Sequence, residues 1–366
     1  MLRGRSANVS MLKFVCSLML LLTAASLSVH GCDLCGCYTP QVEALSAPEL
    51  GADGGLSSKP TLQTRSWTQG IYAAVAEQFT YFGTLQEEGH EISNPTGQHL
   101  DSSITQVVLG YGLNTRLALQ LNVPFIVRSF ERPEGFAIDR GTESGVGDLS
   151  LLGKFVLFHG ERGGARSVTF DDPKSPRMQE TPPDFTYSAI LLGGVKFPIG
   201  ATDRLKEEFV ETEIPGAPVS GIHGHDLTLG TGSWDGLFGV QTSVHYRRAF
   251  AQTDIQFTLR GDGAHQYHFA NDLTWSGGPG VYLLQTQRAL IGLQTVVSGE
   301  YKDVDRFRGK VAEDTGITSV FLGPRVVASF GKVSAEVELD LPVSIDNTSI
   351  QVVPDYRIRA AVALRF

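Results

Sequence analysis

The sequence has 366 residues, a formal net charge of −9 at pH 7 and a hydrophobic fraction of 42%, with a mean hydropathy of −0.03. Beyond residue 31 no apolar run approaches the ~20 residues that a membrane-spanning helix needs, which excludes a helical membrane protein. The acidic balance provides no general basic surface, so a nucleic-acid partner is also excluded. Glycine is abundant at 41 residues, which suits a fold with many turns and closely packed strands.

Residues 1–31 are expected to form a cleaved signal peptide. Basic residues precede an apolar stretch at 14–27, which is too short for a comfortable membrane span, and Gly31 ends the segment where a signal peptidase cleaves. The alternative is an uncleaved membrane anchor. We expect the mature chain to begin near Cys32, outside the cytoplasm.

Residues 32–66 are interpreted as a periplasmic segment that carries cysteines and continues as a flexible linker. Cys32, Cys35 and Cys37 lie close together, and no cysteine follows them, so the fold is not stapled by disulfides. Three thiolates at this spacing can bind Cu(I) or Zn(II). The alternatives are a local disulfide or redox pair, and lipidation of Cys32. The sequence requires no other cofactor.

Residues 67–366 contain runs of about ten residues with period-two alternation, separated by turn residues. Twelve such runs lie near 70–83, 103–113, 116–128, 146–158, 185–198, 236–248, 252–262, 271–284, 288–301, 317–330, 333–342 and 355–366. In the last run, apolar side chains alternate with Arg357, Arg359 and Arg365. A soluble sandwich would bury the apolar face, whereas a membrane barrel would turn it to lipid and the arginines to a wet lumen.

Strand length, loop length and the carboxyl terminus favour the membrane barrel. Ten tilted residues cross a bilayer, while strands of soluble proteins average about five or six. The connections alternate between long and short, as in outer-membrane barrels; residues 159–184 break this rule, and residues 343–354 are expected to form a long outer loop. The terminal strand ends at Phe366, and this ending resembles the terminal strand of bacterial outer-membrane proteins, which the barrel-assembly machinery recognises. We therefore predict an all-β, closed antiparallel transmembrane barrel of about twelve strands in the bacterial outer membrane, surrounded by its lipid.

The polar face of the strands should line the interior of this barrel. An acidic row on one strand and a basic row on the next are expected to lie side by side. Such charges either bias which solute passes or brace the wall as ion pairs. The lumen-lining candidates are Lys154, Lys196, Gln241, His245, Arg247, Arg260, Glu300, Arg325, Glu336, Glu338, Asp340, Arg357, Arg359 and Arg365.

The sequence offers little that suggests catalysis. Ser243 and His245 share one strand face, but neighbours on one strand have poor geometry for nucleophilic attack, so we do not expect an enzyme. His223 and His225 lie in the longest outer loop and form a second candidate for divalent-metal binding. The alternative is a polar loop that is exposed to solvent and binds no metal.

Three segments, GVKFPIG at 194–200, LGTGSWD at 229–235 and YGLNTRLAL at 111–119, resemble the outer-membrane transporter family named for the meta-pathway of phenol degradation. The resemblance spans most of 67–366. It implies a channel for passive uptake of small, hydrophobic or aromatic solutes. The alternative function is a closed barrel that anchors the cysteine-rich tail for metal handling or envelope architecture.

Overall fold

The computed structural model describes residues 70–163, 165–169, 177–181, 184–210, 214–286 and 289–366. The predicted signal peptide and the cysteine segment lie outside these residues. Within the described residues, twelve long strands follow one another, and each lies on one of the predicted alternating runs. Their bounds are β1 Gly70–Glu87, β2 His99–Gly112, β3 Leu117–Glu134, β4 Leu149–Arg162, β5 Phe185–Phe197, β6 Asp235–Tyr246, β7 Ala249–Leu259, β8 Asp272–Gln285, β9 Ala289–Lys302, β10 Ile317–Phe330, β11 Val333–Asn347 and β12 Ile350–Arg365.

The sheet closes on itself. Each strand pairs antiparallel with its neighbours in sequence, and β1 pairs with both β2 and β12. Val75, for example, lies opposite Val107 on β2 and Val362 on β12. At the seam, the backbone N–H of Phe366 donates to the carbonyl of Ile71 at 2.9 Å. Closure leaves the wall with no unpaired edge, and it confirms the predicted closed antiparallel barrel.

The two faces of the wall differ in chemistry. Along β11, Val337 and Leu339 are exposed on the outside, while Glu338 and Asp340 are buried inside the barrel. Apolar side chains facing outward from a closed barrel are stable only in contact with lipid. The apolar face therefore points outward, as in a transmembrane barrel, and not into a buried core, as in a soluble sandwich. No helix among the described residues is long and apolar enough to cross a membrane.

The two ends of the barrel also differ. We call the end that carries Gly70 and Phe366 the terminal end; tight turns lie there, for example at 247–248 and 331–332. The opposite end is called the loop end. Its long connections are residues 88–98, 135–148, 198–234, 260–271 and 303–316. In outer-membrane barrels the short turns are periplasmic and the longer loops are extracellular.

Two connections departed from the simple pattern. The predicted long loop at 343–354 is wrong: β11 stays paired with β10 up to Asn347, and β12 pairs with β1 from Ile350, so only Thr348 and Ser349 connect them. In the predicted exception at 159–184, the structure describes residues 159–163, 165–169, 177–181 and 184. There β4 continues to Arg162, and a separate hairpin pairs Ala165–Thr169 with Arg177–Thr181.

Short elements build up the loop end. The strand Ala137–Val146 pairs with the outer half of β3. A small sheet joins Tyr267–His268, Asp305–Phe307 and Lys310–Ala312, and so connects the β7–β8 loop with the β9–β10 loop. Residues 198–234, which we call the inner loop, contain a 3-10 helix at Asp203–Phe209 and a single helical turn, α1, at Gly224–Leu227.

Candidate functional site in the barrel interior

A network of ion pairs covers the inner face of β10–β12, and we call it the charge ladder. Glu338 on β11 lies between two guanidinium groups, that of Arg325 at 2.5 Å and that of Arg359 at 3.5 Å. Arg359 also contacts Asp340 at 3.1 Å. The remaining members extend the network to β9: Arg357 contacts Glu300 at 3.5 Å and Asp340 at 3.9 Å, and Glu336 lies 3.9 Å from Arg325. The structure thus brings the acidic and the basic rows side by side.

A second network lies on the other side of the barrel, at the loop ends of β5–β8. Asp235 pairs with Lys196 at 2.7 Å and with Arg260 at 2.9 Å. Arg260 reaches Asp272 at 2.6 Å, and Lys196 reaches Asp148 at 3.3 Å. All five side chains are buried inside the barrel. Three carboxylates therefore face two cations, so these charges balance to within one negative charge on the wall.

The remaining candidates occupy different places. Lys154 on β4 and Gln241 on β6 are buried on the inner face. Arg365 is half-buried at the end of β12. The prediction that Arg247 lines the lumen is wrong. Arg247 lies in the β6–β7 turn with a φ of 55°, and its exposed guanidinium pairs with Asp184 at 3.2 Å. The turn ends the alternation before residue 247, so Arg247 does not line the wall.

Near the terminal end the inner face becomes apolar. Phe250 and Tyr282 stack at 4.5 Å and pack with Leu290 and Val327, and the ring of His245 stacks on Tyr282 at 6.0 Å. Phe250 lies directly opposite Gly280, and a Cβ on that glycine would come within 2.3 Å of the phenylalanine ring. Because the glycine has no side chain, the ring lies flat on the wall instead of projecting into the lumen.

The inner loop crosses the barrel. It leaves β5 and returns to β6, yet its Gly221 carbonyl accepts a hydrogen bond from Val352 N–H on β12 at 3.0 Å. In a ring of twelve strands, β12 lies opposite β5 and β6. A Cβ on Gly221 would come within 2.9 Å of that nitrogen, so glycine permits the close approach. Beside it, Ile222 and Leu227 are buried against Phe82, Leu85, Leu100, Phe130 and Val352.

Buried polar contacts hold the inner loop in place. Arg128 on β3 donates to the carbonyl of Asp226 at 2.8 Å and to that of Thr228. At the neck of the loop, the Asp148 carboxylate accepts from the N–H groups of Gly200 and Thr231, both at 2.9 Å. Buried donors and acceptors are costly to leave without partners. Residues 221–233 of the inner loop are therefore part of the interior and not a solvated excursion.

An acidic cluster with two histidines lies where the inner loop meets the β9–β10 loop. His223 contacts Asp314 at 2.5 Å, and Nδ1 of His225 lies 3.1 Å from Glu208. Burial opposes the charged form of His225, but the charges of Asp226 and Glu208 raise its pKa well above the usual value. Burial likewise opposes ionisation of Asp314, yet the hydrogen bond with His223 and the charges of both imidazoles hold its pKa well below the usual range.

A small cavity lies beside this cluster. A cavity of about 20 Å³ is lined by residues of the inner loop, including Gly221, His225 and Asp226, and by wall residues such as Glu300 and Pro354. That volume accommodates about one water molecule. The inner loop therefore occupies part of the described interior at the loop end.

Sequence reasoning missed the residues that position the inner loop. Arg128 stood at the end of a predicted run, and Asp148, Asp235 and Asp314 stood at strand ends or in loops. Their roles depend on partners far away in sequence. The alternation could have placed Arg128 on the inner face, because Asn122 and Gln120 on the same strand share its parity, but no local signal marks the three aspartates.

By sequence, no protein-family model and no curated protein matches the chain. By structure, it is similar to an outer membrane channel from Pseudomonas putida F1, with a TM-score of 0.53, 15% identity, and coverage of 81% of this chain and 96% of that one. The beta domain of the Bordetella autotransporter Brka has a TM-score of 0.41 at 10% identity, covering 81% and 100%. A Pseudomonas aeruginosa FadL homologue has a TM-score of 0.31 at 10% identity, covering 81% and 90%.

The likeness to the Pseudomonas putida structure shows a shared fold. Together with the closed wall and its apolar exterior, it establishes the class of this protein. The chain has the fold of a bacterial outer-membrane β-barrel.

Proposed function

We propose that the protein is a passive outer-membrane channel for small organic solutes, and not an enzyme. One observation carries the proposal. The interior of the closed wall is lined with charged and amide side chains, while the inner loop, anchored by Arg128 and Asp148, occupies part of the passage at the loop end. Constriction by a folded segment inside a polar barrel suits a selective pore better than an open, water-filled one. That the similar Pseudomonas putida structure is an outer membrane channel supports the same function.

The chemistry of the interior suggests the class of solute. Among the buried charged residues of the described chain, nine are Lys or Arg and eight are Asp or Glu, and most pair with one another. We therefore expect weak discrimination between simple anions and cations. Phe250 and Tyr282 belong to a buried apolar cluster near the terminal end, which makes that part of the interior less polar than the loop end. Small amphipathic solutes such as aromatic carboxylates suit an interior that is polar at the loop end and apolar near the terminal end. The resemblance to the transporter family named for phenol degradation supports the same class of solute.

A second candidate function is favoured by the packing of the inner loop. If the loop closes the passage completely, the barrel would serve as an anchor for the segment at 32–66, whose Cys32, Cys35 and Cys37 can bind Cu(I) or Zn(II). The cavity of about 20 Å³ that the inner loop lines is the observation that favours it.

In either case we propose the same two partners in the membrane. Outer-membrane lipid covers the apolar exterior. The barrel-assembly machinery is proposed to bind the terminal strand, which ends at the exposed Phe366.

Planar-bilayer recordings on the purified protein test the channel. In potassium chloride we expect discrete current steps and a reversal potential near zero under a salt gradient, because the interior charges nearly balance. Potassium benzoate should interrupt the current more than potassium acetate, which is the matched carboxylate without a ring. A barrel that folds but passes no current would favour the anchor, and equal effects of the two salts would remove aromatic solutes from the proposal.

A further inference from the structure

Three side chains that can bind a metal ion converge at the loop end of the barrel. His223 and His225 flank the first residue of α1, and Asp314 comes from the β9–β10 loop, far away in sequence. One donor atom of each lies within 4.8 Å of the others. Both histidines are buried, and Asp314 is partly exposed. Small adjustments of these side chains would bring all three donors to the ~2.0–2.2 Å at which Zn²⁺ binds imidazole and carboxylate ligands.

The surroundings of His225 resemble those of a metal ligand. Its Nδ1 lies 3.1 Å from Glu208 Oε1, and its backbone N–H donates to the same oxygen at 2.9 Å. In the neutral ring, donation from Nδ1 to a carboxylate leaves the lone pair on Nε2, an arrangement that metal-binding histidines commonly show; binding of a metal ion therefore displaces the Nε2 proton. On the Nε2 side, Asp226 Oδ1 lies 3.4 Å away.

The charge of the cluster also favours a cation. Glu208, Asp226 and Asp314 place three carboxylates around two imidazoles, while the nearby Lys302 is already paired with Asp305 at 2.6 Å. The cavity lined by His225, Asp226 and Thr315 has room for a water molecule as a further ligand. Two imidazoles, one carboxylate and water form a set that suits Zn²⁺ and its neighbours in the first transition series more than Ca²⁺ or Mg²⁺, which prefer oxygen ligands.

We propose that His223, His225 and Asp314 form a binding site for a divalent transition-metal ion of the Zn²⁺ class. The ion ties the inner loop to the β9–β10 loop, and so fixes the segment that crosses the barrel. The proposed ligands do not include the amino-terminal cysteines, and the proposal does not depend on whether the barrel conducts.

Calorimetric titration of the detergent-solubilised protein with Zn²⁺ tests the site. The titration uses a background in which Cys32, Cys35 and Cys37 are replaced by serine, so that thiolates contribute no binding. We expect one Zn²⁺ per chain. Glu208→Gln removes the partner of Nδ1 and should weaken binding by about 10- to 100-fold, while His225→Ala and Asp314→Asn should weaken it further.

The matched control is His159→Ala, because His159 is exposed at the terminal end of the barrel; this variant should bind as the background does. Heat-modified migration on gels verifies that each variant contains a folded barrel, and the partly exposed Asp314 is the position least expected to disturb it. The proposal is overturned if the background protein binds no Zn²⁺, or if folded Asp314→Asn and His225→Ala variants bind it unchanged.

Discussion

The wall of β10–β12 and the inner loop are specified by different kinds of information. In the wall, every second residue faces lipid and every other one faces the interior, so Leu339 is exposed and Glu338 is paired inside. In the inner loop, position depends on individual contacts, such as Arg128 with Thr228 and Asp148 with Thr231. The wall is therefore a repeated pattern that tolerates many sequences, whereas the loop depends on a few named residues.

The largest expected effect comes from reversing the pattern of the wall. Leu339→Arg places a charge on the lipid face near the middle of β11, which should lower the free energy of unfolding by about 2–4 kcal/mol. Denaturant titration in lipid vesicles measures it. The matched control is Val333→Arg on the same face at the start of β11, where a position near the interface should cost only about 0–1 kcal/mol. Equal costs at both positions would argue against the placement of β11 in the membrane.

A smaller and local effect is expected in the inner loop. Arg128→Ala removes two charge-assisted hydrogen bonds to the carbonyls of Asp226 and Thr228, and should destabilise the local structure by about 2 kcal/mol while the barrel stays folded. Hydrogen exchange of the amides at 222–229 measures this loss. Arg116→Ala, in an exposed turn at the other end of the barrel, serves as the control. Unchanged protection in Arg128→Ala would show that the loop is held by its apolar contacts alone.

The same contrast explains how much the sequence could predict. All twelve strands follow from period-two alternation, because each residue's face depends on its neighbours in the strand. Which face meets lipid does not follow from alternation and was predicted from strand length, loop length and the carboxyl terminus. The strand ends were predicted less accurately than the strands themselves. Arg247 has the parity of an inward-facing residue, but it already lies in the turn. The pairing of Asn347 with Ile317 extends β11 into a segment that was predicted to be a loop.

The site was predictable only in part. The charge ladder could be predicted because Glu338 and Arg359 belong to a hairpin and face each other in register. His223 and His225 were recognisable as a pair of metal-binding residue types. Their partner Asp314 could not be found, because no periodicity relates the β9–β10 loop to the inner loop. That contact exists only once the barrel has brought the two loops together.

Single-channel conductance with and without the inner loop tests the central claim most directly. Residues 203–228 can be replaced by a short glycine-serine linker, because Leu229 and Gly230 already hydrogen-bond to Ala201 at the neck of the loop. If the loop forms the constriction of a polar channel, the shortened barrel should conduct severalfold more current per step than the complete protein. Equal conductance of the two folded proteins would contradict the account.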